Sequence, residues 1–279
     1  MKVLILGSKG NLGPELAKVY KMAKPTLWDQ AELDITDEAA VTEKINQLKP
    51  ELVFNCAAYN AVDKAEGKDR MLSENVNGLA VGFIAQACNS VGAVLVQFSS
   101  NYVFDGNKSE GYNEDDLPNP ISAYGKSKLM GEIELQKNCE KYYLVRTAWL
   151  YGGKGIGKKS FVDLMLEKAE KKESIEVIAD EFGNPTYVVD LAQAVGALVE
   201  QNKPFGIYHL TNSGQASWYD WAKEIFTIKG IDAKLSQISS AEADTKWKRP
   251  AKRPKYGILN NTKFIELRPW SEALREYLS

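Results

Sequence analysis

Tyr124 and Lys128, in the run Tyr124-Gly125-Lys126-Ser127-Lys128, stand four residues apart. On a helix that spacing puts both side chains on one face, about one turn apart. The pair suits proton transfer to a carbonyl oxygen. A free phenol titrates near ~10, too high for easy acid–base work at neutral pH. An ammonium one turn away favours the phenolate and is expected to lower that value. A hydroxyl from another element usually completes such a group by polarising the carbonyl, and Ser99 and Ser100 close the apolar run that begins at Val94. Y-x-x-x-K also arises by chance on any protein surface. Its order in the chain, behind a glycine-rich turn and a serine-ended strand, argues against chance here.

That glycine-rich turn is Gly7-Ser8-Lys9-Gly10-Asn11-Leu12-Gly13, placed between an apolar run and a helical pattern. Glycine permits both a sharp strand-to-helix turn and close approach of a pyrophosphate to backbone amides at a helix N-terminus. Gly7, Gly10, Asn11, Leu12 and Gly13 are therefore the candidate dinucleotide loop, with G-x-x-G-x-x-G spacing. Asp29 follows about 20 residues later, where an acid accepts hydrogen bonds from ribose hydroxyls and repels a 2′-phosphate, favouring NAD over NADP. A solvated loop aspartate is the bland alternative, and Lys9 and Lys24 could tolerate the phosphate. Ala57-Ala58-Tyr59 puts small side chains where such a cofactor would pass. The positive charge of an oxidised nicotinamide would add to the effect of Lys128 on Tyr124.

The elements needed to position these residues are legible. Lys2–Leu6, Thr26–Trp28, Leu52–Asn55, Val94–Ser99 and Tyr143–Thr147 read as strands. Helical patterns fall between them near Leu12–Tyr20, Glu38–Leu48, Arg70–Val91 and Ser122–Cys139. Strict alternation of strand and helix predicts an α/β fold with a Rossmann-type doubly wound parallel sheet over residues 1–150. The pattern then loosens. A Gly/Lys-rich loop at 152–157 leads to an amphipathic helix at Phe161–Lys172 and a strand at Ile175–Ile178. After a polar loop at 182–186 come a helix at Val189–Gln201, a strand at Ile207–Leu210 and an aromatic helix at Trp218–Ile228. A Lys/Arg/Pro segment near 246–255 and a final helix near 270–278 end the chain. Residues 151–279 are expected to form a smaller substrate-binding lobe, interleaved with the first unit and laid over the carboxyl edge of the sheet, where ligands of doubly wound folds bind.

Composition narrows the function classes. A formal charge of −2 over 279 residues gives no reason to expect a nucleic-acid or anionic-membrane partner. No apolar run approaches the ~18 residues of a membrane span, and no signal peptide is evident, so a cytoplasmic location is expected. Cys56, Cys88 and Cys139 are widely spaced and read as core residues of a reducing compartment. A single histidine, His209, excludes a His-rich metal site and a histidine-based triad.

Longer blocks add a resemblance along nearly the whole chain: LDITD at 33–37, NCAAYNAVDKAE at 55–66, FSSNYVFDG at 98–106, YGKSKLMGE at 124–132, VRTAWLYG at 145–152, FGNPTYVVDLA at 182–192 and GIYHLTNSGQASWYDWAKEIF at 206–226. With these the chain resembles the dTDP-4-dehydrorhamnose reductases of the extended short-chain dehydrogenase/reductase superfamily. The resemblance implies hydride transfer from NADPH or NADH to C4 of dTDP-4-dehydro-L-rhamnose, giving dTDP-L-rhamnose. Tyr124 would donate the proton, Lys128 support it and Ser100 polarise the carbonyl. Asp34 and Ile35 would lie near the adenine. Asn60, Val62, Asn101, Tyr102 and Trp149 would hold the sugar, and Arg253 is a candidate for the phosphates of this dTDP-sugar. For Trp149 the alternative is a core tryptophan, and for Arg253 a solvated basic loop.

Departures from the family pattern are Ser100 for its usual threonine, Asn101 for aspartate, Glu181 for glutamine and Ala216 for cysteine. Asn101 removes a charge beside the substrate and leaves the exact sugar open. Some members use Mg2+ at a dimer contact. Glu15 falls in the matching helix, though one glutamate makes no metal site, and a monomer or a homodimer is expected. Two other readings stay open: another nucleotide-sugar 4-reductase or epimerase, and a non-catalytic NADP-binding regulatory subunit like that of methionine adenosyltransferase.

Overall fold

Strands buried on both faces read as continuous apolar runs, and Val3-Leu4-Ile5-Leu6 and Leu52-Val53-Phe54 behave accordingly, being buried throughout. In the computed structural model, which describes residues 1–153, 155 and 159–279, these runs become β1 (Val3–Leu6) and β3 (Leu52–Asn55). They join β2 (Thr26–Trp28), β4 (Val94–Ser100), β5 (Tyr142–Thr147) and the strand Gly206–His209 in a six-stranded sheet. Its order is Gly206–His209, β5, β4, β3, β1, β2, and all five pairings are parallel. The fold is thus the doubly wound α/β sheet that the alternation predicts. Lys154, Ile156 and Gly157 of the expected Gly/Lys-rich loop lie outside the described residues.

Helices cover both faces. On one side Leu16 of α1 (Gly13–Val19) meets Leu191, Val195 and Leu198 of the helix Val188–Glu200 against Val3, Ile5 and Phe54. On the other, α2 (Glu38–Leu48), the helix Ala80–Val91 and the helix Ala123–Asn138 bury Val41, Ile84 and Leu135 against Leu4, Val53 and Leu95. Strand order reverses about β1, which has β2 on one side and β3 on the other. This is the point at whose carboxyl ends ligands of such sheets settle. Gly7 leaves β1 and Cys56-Ala57 leaves β3 at this crevice.

The single helix expected over Arg70–Val91 is interrupted. After α3 (Val62–Ala65) and α4 (Arg70–Glu74), residues Asn75–Leu79 form a π turn before α5 (Ala80–Val91). Such a turn adds a residue to the helical ring. Here the next helix, α6 (Ala123–Asn138), presses on it directly: a Cβ on Gly131 would lie 2.1 Å from the Asn77 carbonyl oxygen.

In the C-terminal half, capping boxes start three helices, with Ser160/Asp163, Ser217/Asp220 and Ser239/Glu242 as the reciprocal pairs. A separate core gathers Tyr151, Val162, Trp221, Ile225 and Leu274. The segment after Pro250 crosses the end of the sheet, where Tyr256 donates its N–H to the Gly106 carbonyl and Gly257 donates to that of Phe182. Among the described residues no helix is long and apolar enough to cross a membrane.

Candidate active site

Gly7 adopts φ +67°, and a Cβ there would sit 2.6 Å from the Ala57 nitrogen. Gly13 is equally closed, its Cβ falling 2.7 Å from Ser8 Cα. Gly10 donates its N–H to the Gly7 carbonyl at 3.1 Å. Only glycine fits such turns, and the cradle they form is the one a pyrophosphate needs. Asn11 Oδ1 is buried with no hydrogen-bond partner among the described residues, an acceptor left at the mouth of that cradle. Leu12 is a core side chain and offers the cradle only backbone. The Asp29 carboxylate ties the turn to β2, accepting the N–H of Lys9 and of Gln30, each at 2.9 Å. These features fit a dinucleotide. Gly7→Ala is expected to weaken nicotinamide-cofactor binding at least tenfold in a fluorescence titration, because the colliding atoms are backbone and the left-handed φ itself costs about 1–2 kcal/mol for an alanine.

Asp34 spends its carboxylate on the Thr36 N–H and hydroxyl, which hold it below the usual carboxylate range. Ile35 packs in the core with Leu33 and Val41. Ala57 accepts the fold of β3 through Asn55, whose Oδ1 receives the Ala57 N–H at 3.2 Å. Ala58 lies between Ala57 and Tyr59, and the Tyr59 hydroxyl donates to Asp69 at 2.8 Å.

The structure brings Ser100, Tyr124, Asn60 and Tyr102 together. Ser122 caps α6 by accepting the Gly125 N–H at 3.1 Å, which sets Tyr124 in the first turn. The Tyr124 hydroxyl donates to Asn60 Oδ1 at 3.4 Å, and its ring meets that of Tyr102 edge-on at 5.3 Å. Lys128, one turn on and buried, donates its ammonium to the Phe98 carbonyl of β4 at 2.8 Å. The expectation that Tyr124 is lowered is overturned: burial pushes its pKa up to about 12, opposed by a hydrogen bond from Ser100. Lys128 is pulled down to about 8 by burial, with Glu132 acting against the fall. The physical reason is desolvation, which penalises both charged forms, while the ammonium is engaged by a carbonyl.

Around this centre the other candidates are placed less uniformly. Ser100 Oγ accepts the Tyr102 N–H and donates to Asn101 Oδ1, both at 3.2 Å. Asn101 is buried and donates from Nδ2 to the Gly257 carbonyl at 2.8 Å, a bond the family's aspartate could not make. Val62 opens α3. Beside it, Asp63 forms an ion pair with Arg253 at 2.7 Å, so that guanidinium is already engaged. Trp149 takes a left-handed φ of 46° and stacks on Trp218 at 3.7 Å, its indole edge against Gly183. For a bulky residue such a conformation is an outlier of the kind that gathers at binding sites.

Sequence reasoning missed the support behind these groups. Glu132, one turn beyond Lys128, accepts both Nε and Nη2 of Arg146 (3.0 and 2.7 Å) and the Ser99 hydroxyl. Both members of the ion pair are fully buried. Arg146 also reaches the Glu114 carbonyl, and Glu114 in turn accepts the N–H of His209 and of Thr262. His209 is held neutral by burial and by Arg146, which push its pKa down. The available signal was spacing, since Lys128 and Glu132 share a helix face. Mg2+ finds no support: Glu15 is bound by the Lys18 ammonium at 2.7 Å, and no cluster of three or more His, Cys, Asp or Glu side chains able to hold a metal occurs among the described residues.

Comparison with known proteins identifies the relatives of this chain. A family profile described as the RmlD substrate binding domain matches residues 1–279. The dTDP-4-dehydrorhamnose reductase of Streptomyces griseus is 38% identical over 98% of this chain and 91% of its own length. The crystal structure of a dTDP-4-dehydrorhamnose reductase from Clostridium acetobutylicum superposes with a TM-score of 0.92 at 42% identity, covering 100% of this chain and 98% of that one. A Bacillus anthracis dTDP-4-dehydrorhamnose reductase solved in complex with NADP gives 0.92 at 35% identity, with 99% of each chain covered. Matched from end to end by the profile and by reductases of one kind, the chain belongs to the dTDP-4-dehydrorhamnose reductase family.

Proposed function

We propose that this protein reduces the C4 ketone of dTDP-4-dehydro-L-rhamnose to give dTDP-L-rhamnose, with NADPH or NADH as the reductant. The observation that carries the reading is the buried group of Ser100, Tyr124 and Lys128, set on β4 and α6 beside the glycine cradle of β1. A reduced nicotinamide, when bound, supplies the hydride. This chain's own residues supply the proton and hold the ketone. Tyr124 must be protonated to act as an acid, and burial secures that by raising its pKa. Its hydroxyl gives the proton to the C4 oxygen while the Ser100 hydroxyl donates to the same oxygen and stabilises the charge growing there. Lys128 keeps a positive charge close to the phenolate that results. Asn60, Tyr102 and Trp149 would line the sugar. Arg253 would meet a phosphate by exchanging or sharing its Asp63 partner.

Three results are expected from these assignments. Activity should fall as pH rises past about 8, where Lys128 loses its proton. The sign for stability is the reverse. The fold holds an amine whose pKa lies below its ordinary 10.5, so the unfolded chain binds more protons between these values and Lys128's contribution to stability rises with pH there. A pH series of initial rates and of urea midpoints reads both. Asp29→Ala should raise KM for NADH about tenfold and leave that for NADPH within about threefold, as the loss of one hydrogen bond to a ribose 2′-hydroxyl implies. Equal changes with the two cofactors would remove Asp29 from that role.

The deciding experiment follows the loss of reduced-nicotinamide absorbance with dTDP-4-dehydro-L-rhamnose made in place by the preceding enzymes. Turnover supports the reading. Tight cofactor binding without turnover sinks it and leaves another 4-keto sugar or a binding role.

A further inference from the structure

Two segments of the C-terminal half converge on Trp149. The short strands Phe182–Gly183 and Ala216–Ser217 pair antiparallel, with Gly183 opposite Ala216 and Phe182 opposite Ser217. Ser217 then caps the next helix, accepting the Asp220 N–H at 3.0 Å, and Trp218 takes its first position. This ladder brings an indole and a bare backbone against one side chain. Trp218 lies face to face with the Trp149 indole, with 3.7 Å between centroids and 18° between planes. A Cβ on Gly183 would fall 2.7 Å from Cε2 and 2.9 Å from Cζ2 of the same ring. Phe161 tilts onto Trp218 at 4.9 Å and braces it. The ladder is also tied to the catalytic centre. The Phe182 carbonyl accepts the Gly257 N–H, and the Gly257 carbonyl accepts Nδ2 of Asn101, the neighbour of Ser100, each at 2.8 Å.

The Trp149 backbone is left-handed, at φ 46°. A bulky residue keeps such a conformation only where its surroundings determine it. Here they are an indole stacked on one face and a glycine at the ring edge. A wall fixed in this way loses little freedom when a ligand meets it, which favours binding.

We propose that Trp218 is a positioning residue for the sugar nucleotide: it fixes the Trp149 indole as a rigid wall of the sugar pocket, and Gly183 leaves the room that this placement needs. Its part is played through Trp149, without contact to the cofactor or the reacting atoms. The proposal rests on the reading of Trp149 as a sugar contact.

The test compares Trp218→Ala, Trp218→Phe, Gly183→Ala and Trp149→Ala in the full chain. Calorimetric titration with dTDP-L-rhamnose reads binding, and steady-state rates read KM and kcat. Circular dichroism reads the exciton couplet that stacked indoles give. Trp218→Ala is expected to weaken sugar-nucleotide binding about tenfold, the upper end of what an aromatic pair is worth, with kcat and cofactor KM within about threefold. Trp218→Phe keeps an aromatic face and should recover most of the loss. Gly183→Ala retains both indoles but pushes one aside, so binding should weaken and the couplet should change. It decides the matter if Trp218→Ala does not fold. Adding Trp218→Ala to Trp149→Ala should cost less than about twofold more, since the first residue acts through the second. Multiplicative losses in that double variant, a Trp218→Ala protein whose cofactor KM rises as much as that for the sugar, or a Gly183→Ala protein with an altered couplet and unweakened binding would each overturn the proposal. Unchanged binding in Trp149→Ala defeats the reading of Trp149 itself, and the proposal falls with it. A parent that binds the sugar nucleotide without turnover defeats the reaction assignment alone, because the titration and the couplet need no turnover.

Discussion

Tyr124→Phe is expected to lower kcat by about 10²–10⁴-fold, the range that a positioned proton donor contributes, with cofactor affinity within about threefold of the parent. The substitution removes one oxygen from a side chain packed edge-on against Tyr102, so the ring keeps its place and the pocket keeps its shape. What disappears is the phenol that donates to Asn60 and the proton that burial keeps in place. A parallel loss in KM with kcat untouched would mean that the hydroxyl binds substrate and does not protonate it. Single-turnover rates with reduced cofactor separate the two outcomes.

The second large effect concerns stability. Glu132→Ala leaves Arg146 buried and unpaired, and should cost about 3–5 kcal/mol of unfolding free energy. The guanidinium cannot release its proton, and among the described residues no second carboxylate pairs with it: Glu114 offers Arg146 its backbone carbonyl, its carboxylate being held by His209 and Thr262. The double replacement Glu132→Leu/Arg146→Met removes both charges at similar volume and should recover most of that loss. Urea midpoints of the two single variants and the double measure this directly. A double variant as weak as Glu132→Ala would show that the Ser99–Glu132 hydrogen bond and the packing of Arg146 over the Phe104 ring, 5.1 Å from its centroid, matter more than the charges do.

How much of this was legible beforehand follows from what each feature depends on. The sheet strands announce themselves because burial on both faces demands unbroken apolar runs, and Tyr124–Lys128 is visible because helical spacing is local. Both survive in the structure with boundaries moved by about a residue. Contacts between distant residues left no such trace. Asn101 meets Gly257 and Arg253 meets Asp63 only after folding, so Asn101 read as a missing charge when it is also a donor to a backbone carbonyl. Arg253 likewise read as open to phosphate when it already has a carboxylate. The π turn was hidden because its residues carry an ordinary helical pattern, and its cause lies in α6. Tyr124's pKa was misjudged for a related reason: spacing reveals the neighbouring ammonium but not the depth of burial, and burial wins.

The strand Gly206–His209 completes the sheet beside β5, and this has a consequence for how the protein is made. Until residue 209 has left the ribosome, β5 is a sheet edge bearing Tyr143, Leu144 and Val145, all buried in the finished protein, with backbone donors and acceptors free to pair with another chain. Synthesis of the first 150 residues therefore yields a nascent chain that holds Tyr124 and Lys128 yet leaves the β5 margin uncovered. It has to wait some 60 residues, a few seconds to about ten at ordinary elongation rates, before its own sequence can cover it.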